Sequence, residues 1–160
     1  MFDARLTDLG ITLPGPFPPH EPLDPVVIHG GAARTSGCLP RDVDGNFATG
    51  LLGRDLTPEQ GAACAELCAL NALSLLRAEL GSLDVIERVL TVTVYVACTS
   101  DFVQQPAVGD GASRLLEQVF GTAGRHTRSA IGVAALPRGA PVEIEVIVAL
   151  HPDAMKQRGA

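Results

Sequence analysis

The chain has no tryptophan and only one tyrosine in 160 residues. Large aromatic side chains therefore cannot build its core. An aliphatic core is the alternative, and 46% apolar residues allow one. Basic charge is also scarce: 12 lysines and arginines stand against 18 acidic residues, for a net charge of −6. With no basic run to track a phosphate backbone, the composition argues against nucleic acid as a partner. A small anionic ligand needs only one or two well-placed cations. The four cysteines, Cys38, Cys64, Cys68 and Cys98, include no CxxC pair. A domain of this size does not need covalent staples, so they are read as reduced and the protein as cytoplasmic. Metal-binding motifs are missing too. Cys64 and Cys68 lie one helical turn apart without further ligands and read as small buried hydrophobes. No metal or organic cofactor is expected. The start of the chain lacks a basic segment followed by an apolar one, so no signal peptide is expected. The apolar stretches are too short or too interrupted to span a bilayer.

What is present reads as one domain. Residues 1–25 carry Pro14, Pro16, Pro18, Pro19, Pro22 and Pro25 and predict an extended lead-in. Val26–His29 and Ala33–Cys38 are strand-like, with Gly30-Gly31 as a hairpin turn between them. Asn46–Gly50 is a further short strand candidate. Thr57-Pro58-Glu59-Gln60 is a capping box with proline at the first helical position, and a helix should run to Leu80 and stop at Gly81. Ala62, Ala65, Ala69, Leu73, Leu76 and Leu80 form one stripe, yet most of the circumference is apolar. A sheet on one side and a neighbour on the other would account for that. Ile86–Cys98 is a β-branched strand. Asp101–Asp110 reads as a loop and Gly111–Phe120 as a second helix. Ser129–Leu136 and Val142–Leu150 are the last strands, and residues 151–160 form a tail. The order predicts an α+β layer: a mixed sheet with two helices on one face, whose other face needs a cover.

Three segments resemble the RidA/YjgF (reactive intermediate deaminase) family. Thr35-Ser36-Gly37-Cys38-Leu39-Pro40 resembles its TSGQ-x-P turn. Arg128-Ser129-Ala130-Ile131-Gly132-Val133-Ala134-Ala135-Leu136-Pro137 resembles its ARS-x-V-x-V-x-x-LP signature. Val142-Glu143-Ile144-Glu145-Val146 resembles its closing strand. The resemblance spans roughly residues 23–150. A closer likeness, carried by Asp110-Gly111-Ala112-Ser113, Phe120-Gly121 and Gly124-Arg125-His126-Thr127-Arg128-Ser129, is to a bacterial branch of YjgF-like or "endoribonuclease L-PSP" proteins. The family likeness implies a chorismate-mutase-like fold and a homotrimer. Its three sheets would form a barrel, with clefts between subunits.

It also implies roles for particular residues. Arg128 would grip a substrate carboxylate with its planar fork; on position alone, an ion pair with Glu143 or Glu145 is the alternative. Glu143 would place or activate a water, or else pair with an arginine, and Glu145 is a spare candidate. Gly37 would let the backbone approach a ligand, Ser36 could add a hydroxyl, and the Ala130 backbone would lie beside the reacting carbon. Without the resemblance, Ser36-Gly37 is simply a turn. Ser113 falls where the deaminases often carry an asparagine near the cleft, or else starts a helix. His126 could touch a ligand or merely bond the backbone. Gly109-Asp110-Gly111, taken as a helix start, could cradle an anion. Two positions depart from the deaminase pattern. Leu23 stands where an aromatic residue is common, and Gly132 where a glutamate is. The leading expectation is hydrolysis of enamines or imines derived from amino acids. Non-catalytic binding of a 2-oxoacid and ribonuclease activity are the alternatives.

Overall fold

The computed structural model describes residues 1–18 and 20–153. Along them run α1 (Phe2–Asp8), β1 (Val26–His29), β2 (Ala32–Thr35), α2 (Pro58–Leu80), β3 (Ile86–Ala97), α3 (Gln105–Phe120), β4 (Thr127–Val133) and β5 (Val142–Leu150). The strands form one sheet in the order β1-β2-β5-β3-β4. Every pairing is antiparallel except β3 with β4. A parallel neighbour demands a crossover, and α3 supplies it.

The β-branched alternation of the strands fixes which side is core. Val92, Val94 and Val96 of β3 and Val142, Ile144, Val146 and Val148 of β5 are fully buried beneath α2 and α3. The residues between them point to the opposite, open face. The expected mixed sheet with helices on one face is what forms.

α2 begins as its sequence dictates. The Thr57 hydroxyl accepts from the Gln60 N–H at 3.3 Å, and the Gln60 side-chain oxygen accepts from the Thr57 N–H at 2.9 Å. Gly81, at φ 82°, ends the helix in the left-handed conformation that glycine adopts without penalty. By length and composition α2 could cross a membrane, but most of it is buried inside the domain, as a core helix is. Part of its second side is covered by its own chain. The Ser74 hydroxyl donates to the Pro14 carbonyl, the Asn71 side-chain amide donates to the Arg41 carbonyl at 2.7 Å, and Leu13 and Phe17 pack on the core. A proline-rich strap has few N–H donors to satisfy, so it can lie along an apolar helix.

Other expectations need correction. The lead-in is not extended throughout, because Phe2–Asp8 form α1. All the prolines lie beyond residue 13, so nothing in the first nine residues blocks a helix. Phe2 packs edge-on to Phe120, and Asp3 accepts from the Ser82 hydroxyl at 2.5 Å and the Leu83 N–H at 3.2 Å. Asn46–Gly50 is not a strand. A single bridge joins Arg41 to Phe47, and the Asp42 carboxylate folds the segment into a turn by accepting from the Asp44 and Asn46 amides. α3 starts six residues before Gly111. Pro106 sits in its first turn, where a missing N–H costs nothing. β2 stops at Thr35 and β4 at Val133, both short of the expected ends. The expected tail lies outside the described residues from position 154 on.

The two helices cross where side chains are absent. A Cβ on Gly111 would lie 1.9 Å from the Ala62 carbonyl oxygen, and one on Gly61 would lie 2.9 Å from Val108. Gly111→Ala must therefore push the helices apart. It is expected to cost about 3 kcal/mol, the upper end for overpacking. A denaturant midpoint equal to that of the parent would refute this.

Candidate functional site

The strand period of two decides where Arg128 can reach. In the parallel register Arg128 lies opposite Val92 and Ala130 opposite Val94, so both project toward the helices. The Arg128 side chain meets the inner flank of α3. Its Nη1 donates to Asp110 Oδ1 at 3.0 Å and to Ser113 Oγ at 2.8 Å, and its Nη2 donates to the Pro106 carbonyl at 3.0 Å. The guanidinium rests on Gly109, where a Cβ would come within 3.1 Å of it. Three of its five N–H groups are thereby used. Among the described residues nothing takes Nε–H and one Nη2–H, which are enough for a side-on, two-point grip on a carboxylate.

A second chain of bonds ends on the same serine. His126 Nδ1 lies 2.6 Å from the Gly124 carbonyl, and its Nε2 lies 3.0 Å from Ser113 Oγ. A carbonyl can only accept, so Nδ1 carries the proton. Nε2 then presents its lone pair to the serine O–H. Burial pushes the imidazole below its ordinary range, and Arg128 adds to that, opposed by the Gly124 bond. These groups, with Arg125 and Glu117, border a cleft of about 610 Å³.

Glu143 sits on the other side of the sheet. It pairs with Tyr95, and Glu145 pairs with Thr93, all on the open face. Its carboxylate lies against the Gly37 backbone, where a Cβ would be 1.8 Å from Oε1. Gly37 does allow a close approach, but what approaches is Glu143. Partial burial raises the Glu143 carboxyl above its usual range, and the Glu145 charge adds to the shift. Glu145 is held by Arg34 at 3.1 Å and lies 3.4 Å from the Tyr95 hydroxyl.

The structure thus divides the expected site in two. Arg128, Ser113 and Ala130 are on the helix side, and Glu143 and Gly37 are on the open side. The ion pair of Arg128 with Glu143 or Glu145 does not form within the chain, since Asp110 holds Arg128. Ser36 serves a turn: its hydroxyl donates to the Asp24 carbonyl at 2.9 Å and its N–H to the Pro25 carbonyl at 2.8 Å. Ser113 lies within α3 and not at its start. Gly109-Asp110-Gly111 is likewise interior, so its amides serve the helix and not an anion. Gly132 makes room for Cys98 Sγ and Gln105 Nε2, which a Cβ there would meet at 2.9 and 3.2 Å. Leu23 is 59% exposed. Cys38 is fully buried, and burial pushes its thiol up to about 12. Asp110, which holds Arg128, is absent from the expected site. Its spacing of three from Ser113 places the two on one helical face, a signal hidden while the helix was read as starting at Gly111.

A family model described as "YjgF/chorismate mutase-like, putative endoribonuclease" matches residues 3–148. Protein TCP17 of Trypanosoma cruzi is 42% identical over 149 residues, which is 92% of this chain and 93% of that protein. The Atu1372 protein of Agrobacterium tumefaciens, of unknown function, superposes with a TM-score of 0.85 at 41% identity over 94% of each chain. A "putative endoribonuclease" of Shewanella oneidensis reaches a TM-score of 0.88 at 29% identity, over 94% of this chain and 99% of its own.

The His126 environment has a direct readout. Its imidazole is expected to titrate below the ordinary value of about 6.5, and Arg128→Gln is expected to move it upward by removing a like charge. A histidine whose folded pKa is depressed binds its proton less tightly than in the unfolded chain. Stability is therefore lost as pH falls from about 6.5 toward the folded value. Proton NMR of the imidazole through the pH range tests this; a transition at or above 6.5 would refute it.

Proposed function

The chain belongs to the YjgF/chorismate-mutase-like family, and from that premise we propose that it hydrolyses reactive imines or enamines derived from amino acids in a cleft shared by two subunits. One observation carries the reading. Arg128 and Glu143 lie on opposite faces of one sheet, so a single chain cannot bring both to one substrate. A second copy can, by laying the open face of one sheet near the Arg128 edge of another. The open face supports such packing: Val27 on the edge strand is 54% exposed, and Ile131, beside Tyr95, is 47% exposed. A homotrimer closing three such contacts gives every Arg128 a Glu143 from a neighbour.

In this reading the imine carboxylate takes the free Nε–H and Nη2–H of Arg128. Water attacks the imine carbon while Glu143 takes one of its protons and passes it to the nitrogen. The remaining hydroxyl proton then follows by the same carboxylate as the C–N bond breaks, so C=N becomes C=O and ammonia leaves. A carboxyl raised toward neutrality is a better base than an ordinary one. Gly37 keeps that carboxyl against the backbone, and the Ala130 backbone flanks the carbon. The chemistry is carried by side chains and water, with no cofactor invoked. Binding of a 2-oxoacid without turnover is the second reading. It is favoured by the neighbours Arg128 has within its own chain, Asp110 and Ser113, which anchor the guanidinium while Glu143 lies on the opposite face of the sheet.

Imine freshly generated from an amino acid by an oxidase supplies the assay. The protein is expected to accelerate imine loss. Arg128→Ala and Glu143→Gln should each reduce the rate at least about 100-fold, the ordinary contribution of a positioned base or charge. No acceleration alongside 2-oxoacid binding by calorimetry would support the binder. RNA cleavage abolished by Arg128→Ala would instead support a ribonuclease. Light scattering is expected to give a trimer, and a monomer at micromolar concentration would overturn the shared cleft.

A further inference from the structure

We propose that Ser113 and His126 form a catalytic pair of their own, a serine nucleophile with a histidine base, acting on activated esters of small acids that carry a second negative charge. The inference needs one chain and no Glu143, so it stands apart from the imine reading.

The directions of the hydrogen bonds carry it. The Gly124 carbonyl, 2.6 Å from Nδ1, fixes the tautomer and the ring plane of His126. The free Nε2 lone pair faces Ser113 Oγ at 3.0 Å. That is the arrangement of nucleophile, base and orienting group in which a hydroxyl becomes reactive, with a backbone carbonyl in the orienting place. The base must be neutral to accept a proton, and its partial burial beside Arg128 keeps it so. Ser113 is partly buried but borders the cleft, so an ester carbonyl can approach Oγ from that side. Arg128 Nη1, 2.8 Å from Oγ, is the charge nearest to where an oxyanion would form.

The cleft also selects for charge. Arg114, Arg125 and Arg128 line it against Asp110 and Glu117. Arg125 is paired with Glu117 at 2.9 Å, and Asp110 is shared between Arg128 at 3.0 Å and Arg114 at 3.8 Å. Three cations share two anions, which leaves one positive charge for a substrate anion.

The reaction balances without a co-reactant other than water. Oγ bonds to the carbonyl carbon while its proton passes to His126 Nε2. The tetrahedral intermediate collapses, the C–O bond to the leaving alcohol breaks, and Nε2 returns the proton to that alcohol. Water then attacks the acyl-serine with His126 again accepting a proton. The C–Oγ bond then breaks, Nε2 returns that proton to Oγ, and release of the acid restores the serine.

A fluorophosphonate tests the pair directly. Serine attack breaks the P–F bond and leaves a stable adduct. The native protein is expected to take one adduct per chain, mapped to Ser113 by peptide mass spectrometry. Ser113→Ala should take none, and His126→Gln should react about 100-fold more slowly. His126→Asn is the second variant should His126→Gln fail to fold by circular dichroism. 4-Nitrophenyl hemisuccinate should be cleaved faster than 4-nitrophenyl acetate. No adduct at Ser113, or an undiminished labelling rate without His126, overturns the proposal. Labelling of Ser113 in a protein that leaves imines untouched would support this pair while overturning the imine reading. Imine hydrolysis without labelling would do the reverse.

Discussion

A β-strand turns alternate side chains to opposite faces, and in this protein that alternation decides what one chain can do alone. β4 and β5 flank β3 in a single sheet, so the pairing register settles the faces without freedom. Arg128 shares its face with buried Val92, and Glu143 shares its face with Tyr95. No rotamer carries either side chain through the sheet. The Arg128 guanidinium and the raised Glu143 carboxyl are complementary in charge and separated by the backbone. Any reaction that uses both is a property of an assembly. What uses only the helix side belongs to one chain.

The helix side owes its shape to missing side chains. Gly61 and Gly111 bring α2 and α3 into backbone contact, and Gly109, two residues from Gly111, leaves the bed on which the Arg128 guanidinium lies. Asp110 and Ser113 on the same helix then meet Nη1. One short glycine-rich stretch sets both the packing of the domain and the position of its principal cation. That coupling explains why a stretch that looks like a loop is helical. Glycine lowers helix propensity by about 1 kcal/mol per residue, and the close crossing it permits returns dispersion and burial along two helices.

Much of the fold was legible because its signals are local. The capping box at Thr57, the stop at Gly81 and the alternation of Val142–Leu150 each rest on neighbours in sequence, and each formed as read. The start of α3 was not legible, since Pro106, Gly109 and Gly111 mimic a loop and only the contact with Ala62 explains them. α1 was masked by the prolines that follow it. Of the candidate site, Arg128, Glu143 and Gly37 are expectations from motif likeness, which carries residue identity but not geometry. The tie of Gly37 to Glu143, and of Arg128 to Asp110, Ser113 and His126, depends on contacts between distant segments. No pattern in the sequence states them.

The hold on Arg128 has opposing consequences for a ligand. Three bonds within the chain already fix the side chain, so the roughly 2 kcal/mol of rotamer entropy an arginine can lose is lost on folding and not on binding. Asp110 works the other way. At an effective dielectric of about 20, a carboxylate about 4 Å from the guanidinium gains roughly 4 kcal/mol, and repulsion from Asp110 on the far side of the guanidinium takes back part of it. What is left falls well short of the roughly 8 kcal/mol that micromolar affinity requires. Arg128 therefore orients an anion more than it captures one. The remaining affinity must come from a second contact: Arg125 and Arg114 within the same cleft, or the open face of a neighbouring subunit. The first would serve the serine pair and the second the shared imine cleft. Which contact completes the anion's binding decides which chemistry follows.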